Sequence, residues 1–457
     1  MPATPARVAA FHVLGRVESG RAFAVDLLQG PMVSRLREVD RNLVTEIVMG
    51  VLRWRGELDF QIEQLSGKSL RYFDSEVAII LRMGIYQIRF LEKIPKRAVV
   101  NEAVELAKAA RKRSAAGLVN AVLRKCQPAT PRPPGEGAGG IDPELLRAAR
   151  RSTPAWLWKR WEANFGAAAA DALAWASNAV PRTTLRVVPR EREQIRQELM
   201  SEGIETELSK YANSGLWVSS GSVPASLSRL TGRVAIQDEA SQLVPLLLAP
   251  RPGERVLDLC AAPGIKASQL AGLMGSGTLV ASDLNARRLR TLAKLAAGWI
   301  PSTVRMFPMQ LDAAAELPFG CTFDRILVDA PCSGTGTLAR NPEIKWRLRE
   351  NDLVRLAQLQ EKILRRALKV LAPGGRLVYA TCSLEPEENE QAVERVLREV
   401  AECRLVSARE LSSEFPELAP LFDSHGYFRT RPDLQAMDGF FAAVIVRGGD
   451  SCLAEAA

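Results

Sequence analysis

Histidine is nearly missing from this chain: His12 and His425 are the only two. Neither lies near a candidate nucleophile, which speaks against a Ser-His-Asp triad, and two cannot build a histidine-rich metal site. No CxxC pair occurs, so a zinc reading has no ligand set and no metal is expected. There is no GxGxxG and no GxxxxGK[ST], which demotes dinucleotide and nucleoside-triphosphate binding. No apolar run approaches the roughly 18 residues of a membrane span, so no membrane partner is expected. The first twenty residues interleave Val8, Phe11, Val13, Leu14 and Val17 with His12, Arg16 and Glu18. That pattern predicts an amphipathic helix, not a signal peptide. The seven cysteines are odd in number and widely spread, which does not fit a disulfide framework and places the chain in a reducing cytoplasm.

What is present is a soluble composition, 47% hydrophobic and 25% charged over 457 residues. Positive charge is concentrated at the front. Residues 1–126 hold 21 Lys+Arg against 13 Asp+Glu, a balance of +8, and the remainder holds 40 against 39, a balance of +1. A basic module beside a near-neutral one points to a polyanion, with an arginine-rich solvated surface as the plain alternative. The front module reads as helices throughout, with apolar residues at three- and four-residue spacing. Asp40 and Asp74 are placed like helix caps, and Pro95 separates two helices. The expected domains are a helical one over 1–126, a Pro/Gly/Ala linker over 127–141, a helical extension plus small α+β subdomain over 142–235, an α/β Rossmann-like domain over 236–448 and a tail over 449–457. In the α+β part the expected order is TTLRVV (strand), REQIRQELMSEG (helix), strands around IETELS and GLWVSS, and a helix near PASLSRL. In the last domain the expected strands are RVLDLC, TLVASD, TVRMFP, DRILVDA, RLVYATC and GFFAAVIVR, with a shorter one near GYFRTR.

Chemistry gathers where those strands end. The stretch DLCAAPGIKASQLA (258–271) leaves a strand, turns through small residues and enters a helix whose free N–H groups suit a polar ligand. Asp283 closes the next strand, nineteen residues after Gly264, where an acid of a Rossmann-like sheet accepts ribose hydroxyls. Two further strands run into cysteine corners, DAPCSG with Cys332 and YATCS with Cys382. Neighbouring strand ends would bring both cysteines to one cleft, although two small buried fillers would give the same letters. Nearby carboxylates would raise a thiol pKa, so Glu385, Glu387 and Glu388 are expected to face away from the sulfur or into solvent. A helix N-terminus, Lys345 or Arg347 is expected to supply a compensating positive field. A thiolate beside an adenosine-bearing cofactor suits one reaction well. Attack on carbon 6 of cytosine activates carbon 5 for methylation of a base taken out of its stack.

At these residues the chain resembles the RNA cytosine-5 methyltransferases that use S-adenosylmethionine. The matching stretches are QDEASQLVPLLLAPRPGERVLDLCAAPGIK, DAPCSGTGTLARNPEIKWR, LAPGGRLVYATCSLEPEENE and DGFFAA. The resemblance implies Cys382 as nucleophile and Cys332 as the residue that assists product release. Asp329 would contact the cytosine or the cofactor. Cys260, Ala261, Ala262, Pro263, Gly264, Ile265 and Lys266 would form the cofactor loop, with Asp283 at the ribose and Asp312 near the adenine. DNA enzymes of similar chemistry attack from the Pro-Cys position, so the Thr-Cys corner points to RNA. The front half (ARVAAFHVLGRVESG, ILRMGIYQIRFLEKIP, VNAVLRK) resembles the helical RNA-binding domain of transcription antitermination proteins. That pairing is the arrangement of the bacterial 16S ribosomal RNA cytosine-5 methyltransferases. It implies 16S ribosomal RNA as partner, free or in an early small-subunit particle, and a monomer. One departure stands out: Ile265 and Ala267 replace the usual glycine and threonine of CAAPGGKT. If residue 265 had positive φ, its side chain would strain the loop. That departure keeps a second function open, an RNA-binding ribosome assembly factor with weak or lost transfer. A transfer-RNA methyltransferase is a third.

Overall fold

The computed structural model describes residues 3–20, 22–128, 143–188, 191–221, 230, 232–296 and 298–449. Most of the expected linker, the helix expected near 224–230 and all but the first residue of the expected tail lie outside the described residues. The chain forms two compact units. One comprises residues 1–180 together with 338–348, and the other comprises 181–337 together with 349–457.

The first unit is helical. Its main front helices are Pro5–Glu18, Glu38–Arg53, Arg55–Ser66, Ser75–Phe90, Lys96–Ala109 and Ala116–Lys125. Helix Ser75–Phe90 buries Ile80, Leu81, Met83 and Ile85 almost completely, as its run of large apolar residues on every face requires. Asp74 stands at its N-terminal boundary, but its carboxylate takes Lys112 at 2.8 Å and leaves the backbone uncapped. Asp40 is not a cap. Helix Glu38–Arg53 starts two residues earlier, and Asp40 pairs with Arg37 in its first turn. Pro95 does separate two helices, at the start of Lys96–Ala109. Helices Pro143–Arg151, Ala155–Phe165 and Ala167–Ala176 group with this unit, and so does the segment Leu338–Leu348. That segment is held by backbone carbonyls. Lys345, fully buried, donates to Arg53 O at 3.0 Å and to Asn178 Oδ1 at 2.8 Å, and Trp346 Nε1 donates to Leu52 O at 3.0 Å.

The second unit carries two sheets. The smaller is antiparallel and comprises β1 (Thr184–Val187), β2 (Glu205–Leu208), β3 (Gly215–Ser220) and β4 (Val234–Ile236), in the order β2-β3-β1-β4. The larger sheet comprises β5 (Arg255–Asp258), β6 (Gly277–Asp283), β7 (Val304–Gln310), β8 (Phe323–Asp329), β9 (Leu371–Thr381), β10 (Cys403–Leu405), β11 (Phe428–Arg429) and β12 (Phe441–Arg447). Its order is β10-β12-β9-β8-β5-β6-β7, with β11 beside β12. Strands β5 to β9 are mutually parallel, and β12 closes antiparallel on β9. All the expected strands are there, while the short β4 and β10 were not anticipated.

Both faces of the large sheet are covered. Val256, Leu327, Val378 and Ala380 point to one core with Leu243, Leu270 and Leu292, while Leu257, Ile326, Val328, Leu377 and Tyr379 point to the other with Ile363, Leu364 and Val396. That two-residue alternation with both sides apolar is why these strands read as unbroken hydrophobic runs. Sheet order reverses between β5 and β8, which opens a crevice at their C-terminal ends. Among the described residues no helix is long and apolar enough to cross a membrane.

Candidate active site

The crevice begins where β5 ends at Asp258. The chain turns through Leu259–Gly264, with a cis Ala262–Pro263 peptide, and enters helix Ile265–Met274. Gly264 takes the left-handed position, φ 107°, and a Cβ there would lie 2.7 Å from Leu292 Cγ. Ile265 is already in the helix and has no positive φ. The conformation that a second glycine would serve is therefore not needed at 265, and its side chain imposes no backbone strain.

The turn is held from beneath by Arg186 of β1. Its guanidinium donates to Ile265 O at 2.9 Å and to Ser268 Oγ at 2.8 Å, and lies 4.6 Å from the Trp299 ring centroid. Burial lowers its pKa to about 10. Sequence reasoning missed Arg186, because an arginine inside a short strand carries no motif.

Three acids line the strand ends. Asp258 is fully buried, and neither of its oxygens has a hydrogen bond of normal geometry, although the Cys260 amide lies nearby. Burial, and then the Asp329 charge, push its carboxyl up to about 8. Asp329, at the end of β8, accepts from Lys266 Nζ at 2.7 Å. Burial works against the Lys266 ammonium, but Asp329 outweighs it and the lysine pKa rises, with Cys382 adding to the effect. Asp283, at the end of β6, accepts from the Asn285 amide at 2.8 Å and has Arg288 at 3.7 Å. Asp312 follows β7, is exposed and accepts from the Ala314 amide at 2.9 Å. Cys260 is a poor nucleophile, since burial, then Asp258 and Asp329, push its thiol pKa up.

The two remaining cysteines meet. Cys332, three residues past β8, and Cys382, just past β9, lie with their sulfurs 3.2 Å apart. The Gly336 amide donates to Cys382 O at 2.9 Å. A Cβ on Gly336 would fall 2.1 Å from Gly439 O, so the DGFF stretch closes tightly on this corner. Asn389 staples the other corner, accepting from Thr381 Oγ1 at 2.6 Å and donating to Ser383 O at 2.9 Å.

Two expectations need correction. Of the two alternatives expected for the acids, solvent is excluded for Glu385 and Glu388, for both are fully buried, and the Glu388 charge bears on Cys332. Glu388 is satisfied inside the protein by the Ser333 amide at 2.8 Å, Gln360 Nε2 at 2.9 Å and the hydroxyls of Ser333 and Ser383. Lys345 and Arg347 are engaged within the helical unit. Lys345 is spent on Arg53 O and Asn178 Oδ1, and Arg347 on the carbonyls of Val17 and Ala22. The cation beside Cys382 is Lys266.

Comparison with known proteins agrees with this architecture. Residues 245–446 match the family model described as 16S rRNA methyltransferase RsmB/F, residues 4–128 match the NusB family, and residues 153–224 match a model described as "Methyltr_RsmF/B-like, ferredoxin-like domain". The chain is 33% identical to the probable ribosomal RNA small subunit methyltransferase B of Bacillus subtilis (strain 168), over 98% of this chain and 100% of that one. It is 34% identical to ribosomal RNA small subunit methyltransferase B of Pseudomonas putida, over 96% of this chain and 98% of that one. A crystal structure of a methyltransferase homolog from Pyrococcus horikoshii is 29% identical and covers 67% of this chain and 100% of its own, with a TM-score of 0.55. Another solved structure, 24% identical, shares the fold over 97% of this chain and 99% of its own, with a TM-score of 0.76.

The cofactor is S-adenosylmethionine, and the crevice suits it. The buried acid Asp258 lacks a protein partner, Gly264 gives a turn with no side chain, and Asp283 stands at the neighbouring strand end. With a near full-length match at this identity and the family's methyltransferase, NusB and ferredoxin-like parts in one chain, the protein belongs to the ribosomal RNA small subunit methyltransferase B family.

Proposed function

We propose that the chain methylates carbon 5 of a cytosine in 16S ribosomal RNA through a covalent bond between Cys382 and carbon 6 of the base. The observation that carries this reading is the 3.2 Å approach of two free thiols at the ends of adjacent strands, beside the Lys266–Asp329 pair. Carbon 5 of cytosine is a weak nucleophile. When Cys382 Sγ, as thiolate, bonds to carbon 6, the C5–C6 double bond opens and its electron pair serves carbon 5. Bound S-adenosylmethionine supplies the methyl group. Loss of the carbon 5 proton to a base then restores the double bond and expels Cys382 Sγ from carbon 6.

The surrounding residues support both ends of this cycle. Lys266 places a positive charge beside Cys382 at the start. Cys332 keeps its proton, because its hydrogen bond with the Cys382 sulfur, and then burial, push its pKa up. A protonated thiol in contact with Cys382 can hydrogen-bond the departing thiolate, which is the release role assigned to Cys332. Asp329 anchors Lys266 at 2.7 Å and so fixes the position of that charge. The cofactor is assigned to Cys260–Lys266, Asp283, Asp312 and Asp329. The basic helical unit is assigned to RNA, and a cytoplasmic setting goes with a nucleophile that must stay reduced.

The test is transfer of labelled methyl from S-adenosylmethionine to an unmodified 16S ribosomal RNA transcript, followed by nucleoside analysis. Label recovered as 5-methylcytosine supports the reading. Label on another nucleoside, or none, overturns it.

A further inference from the structure

The helical unit contains a groove of about 520 Å³, within the size range of small-ligand sites. Its lining includes Arg147, Arg150 and Arg151 of helix Pro143–Arg151, Trp158 and Lys159 of helix Ala155–Phe165, and Trp346. Four cations thus surround two indoles, and among the described residues no carboxylate lines the groove. The Arg150 guanidinium lies 3.5 Å from the Trp158 ring centroid, stacked on a largely buried ring. Arg150 is an exposed residue, and among the described residues it has no carboxylate partner. Lys159 is likewise exposed and unpaired among the described residues. Trp346 is pinned through Nε1 to Leu52 O, with Arg55 5.3 Å from its centroid. These aromatics are fixed platforms.

An arginine stacked on an indole presents a planar cationic face for a base, and its edge donates to phosphate. Arg147 pairs with Glu144 at 2.7 Å and Arg151 with Glu57 at 2.5 Å, while among the described residues Arg150 and Lys159 keep their charge uncompensated. That surplus of positive charge favours a polyanion, and a groove of this volume suits an unstacked strand better than the regular surface of a duplex. We propose that this groove binds a single-stranded stretch of RNA. Arg150 provides the stacking face, and Arg147, Arg151 and Lys159 contact phosphates. The proposal rests on the reading above only for RNA being the polyanion. Nothing in it depends on Cys382.

The experiment measures binding of a labelled single-stranded RNA decamer and of a duplex of equal length to the full chain, across a salt series. Arg150→Ala should weaken single-strand binding about tenfold, in line with loss of one stacked base. Arg150→Lys, which keeps the charge and loses the planar face, should recover only part of that. The double variant Arg147→Gln/Lys159→Gln should reduce the salt slope by roughly 1 to 1.5, as expected for two lost phosphate contacts on a single strand. All these side chains are exposed or half-buried, so an unfolding midpoint near that of the unaltered chain accompanies each result. Unchanged affinity and slope in both Arg150→Ala and the double variant overturn the proposal, and so does equal weakening for duplex and single strand. Cys382→Ala should bind the decamer like the unaltered chain, so a failure of methyl transfer and a failure of this groove are separate results.

Discussion

Glu388 accepts a hydrogen bond from the backbone amide of Ser333 at 2.8 Å, fifty-five residues away in sequence. The same carboxylate takes the hydroxyls of Ser333 and Ser383, the residues that follow Cys332 and Cys382. One buried acid therefore sets the spacing of both thiols. Glu388→Ala removes the acceptor for four donors in a closed interior, each of which is costly to leave unmade. The expected result is a loss of about 3 kcal/mol or more of stability and a large fall in kcat. Glu388→Gln keeps an acceptor and should lose less of both. Thermal unfolding and single-turnover methyl transfer check this. Full activity in Glu388→Ala would show that the corners hold their spacing without it.

The thiol pair makes a prediction that separates its two members. Cys382→Ala should abolish transfer, with a loss of several orders of magnitude, as for other removed nucleophiles. Cys332→Ala should still form the bond to carbon 6 and fail to release it. A protein–RNA adduct stable to denaturing electrophoresis should then accumulate and carry label from S-adenosylmethionine. Normal turnover by Cys332→Ala with no adduct would remove the release role. It would leave the 3.2 Å contact as packing.

Much of this site was legible because a strand end is marked twice in sequence, by the end of an apolar run and by the turn residues after it. Asp283, Asp329, Cys332 and Cys382 all fall at such marks, and the sheet order brings the last three to adjacent strand ends. What could not be read is what the side chains do next. Glu388 looked like one of a solvated acidic run, and only its hidden partners Ser333 and Gln360 show otherwise. Arg186 belongs to the smaller sheet, and no local pattern links it to a turn about eighty residues later. Lys345 and Arg347 lie fewer than twenty residues after Cys332. Yet they belong to a segment that packs with the helical unit, a path no periodicity encodes.

Ile265 offers a sharp check on the cofactor turn. The left-handed residue is Gly264, so Ile265→Gly removes a helix-compatible side chain and relieves nothing. It should lower stability by about 0.5–1 kcal/mol without tightening S-adenosylmethionine binding. Arg186→Met acts on the turn itself. It removes the donor shared by Ile265 O and Ser268 Oγ, leaving only their bond to each other, and should weaken cofactor binding severalfold, read by calorimetry in the absence of RNA. A tighter complex for Ile265→Gly would mean that the side chain at 265 does obstruct the site.

Asp258 gives the chain a pH dependence whose sign is fixed. In the folded protein its carboxyl holds its proton until about pH 8, because of burial and the Asp329 charge. In the unfolded chain it ionises near an ordinary aspartate value, about 4. Between those limits the folded state binds more protons, so stability falls as pH rises, by at most about 1.4 kcal/mol per pH unit from this one group. The stability it contributes is fully present below about pH 4 and is lost by about pH 8. Asp258→Asn stays neutral throughout and lacks this slope. Asp329, Lys266 and Asp283 also bear on Asp258 and remain in both proteins, so the comparison isolates the one carboxyl. Urea unfolding of the two proteins between pH 5 and pH 8 should show the unaltered chain losing ground to Asp258→Asn as pH rises. Parallel curves would mean that Asp258 is ionised throughout this range in the folded state. Its missing hydrogen-bond partners would then be supplied by water or ligand.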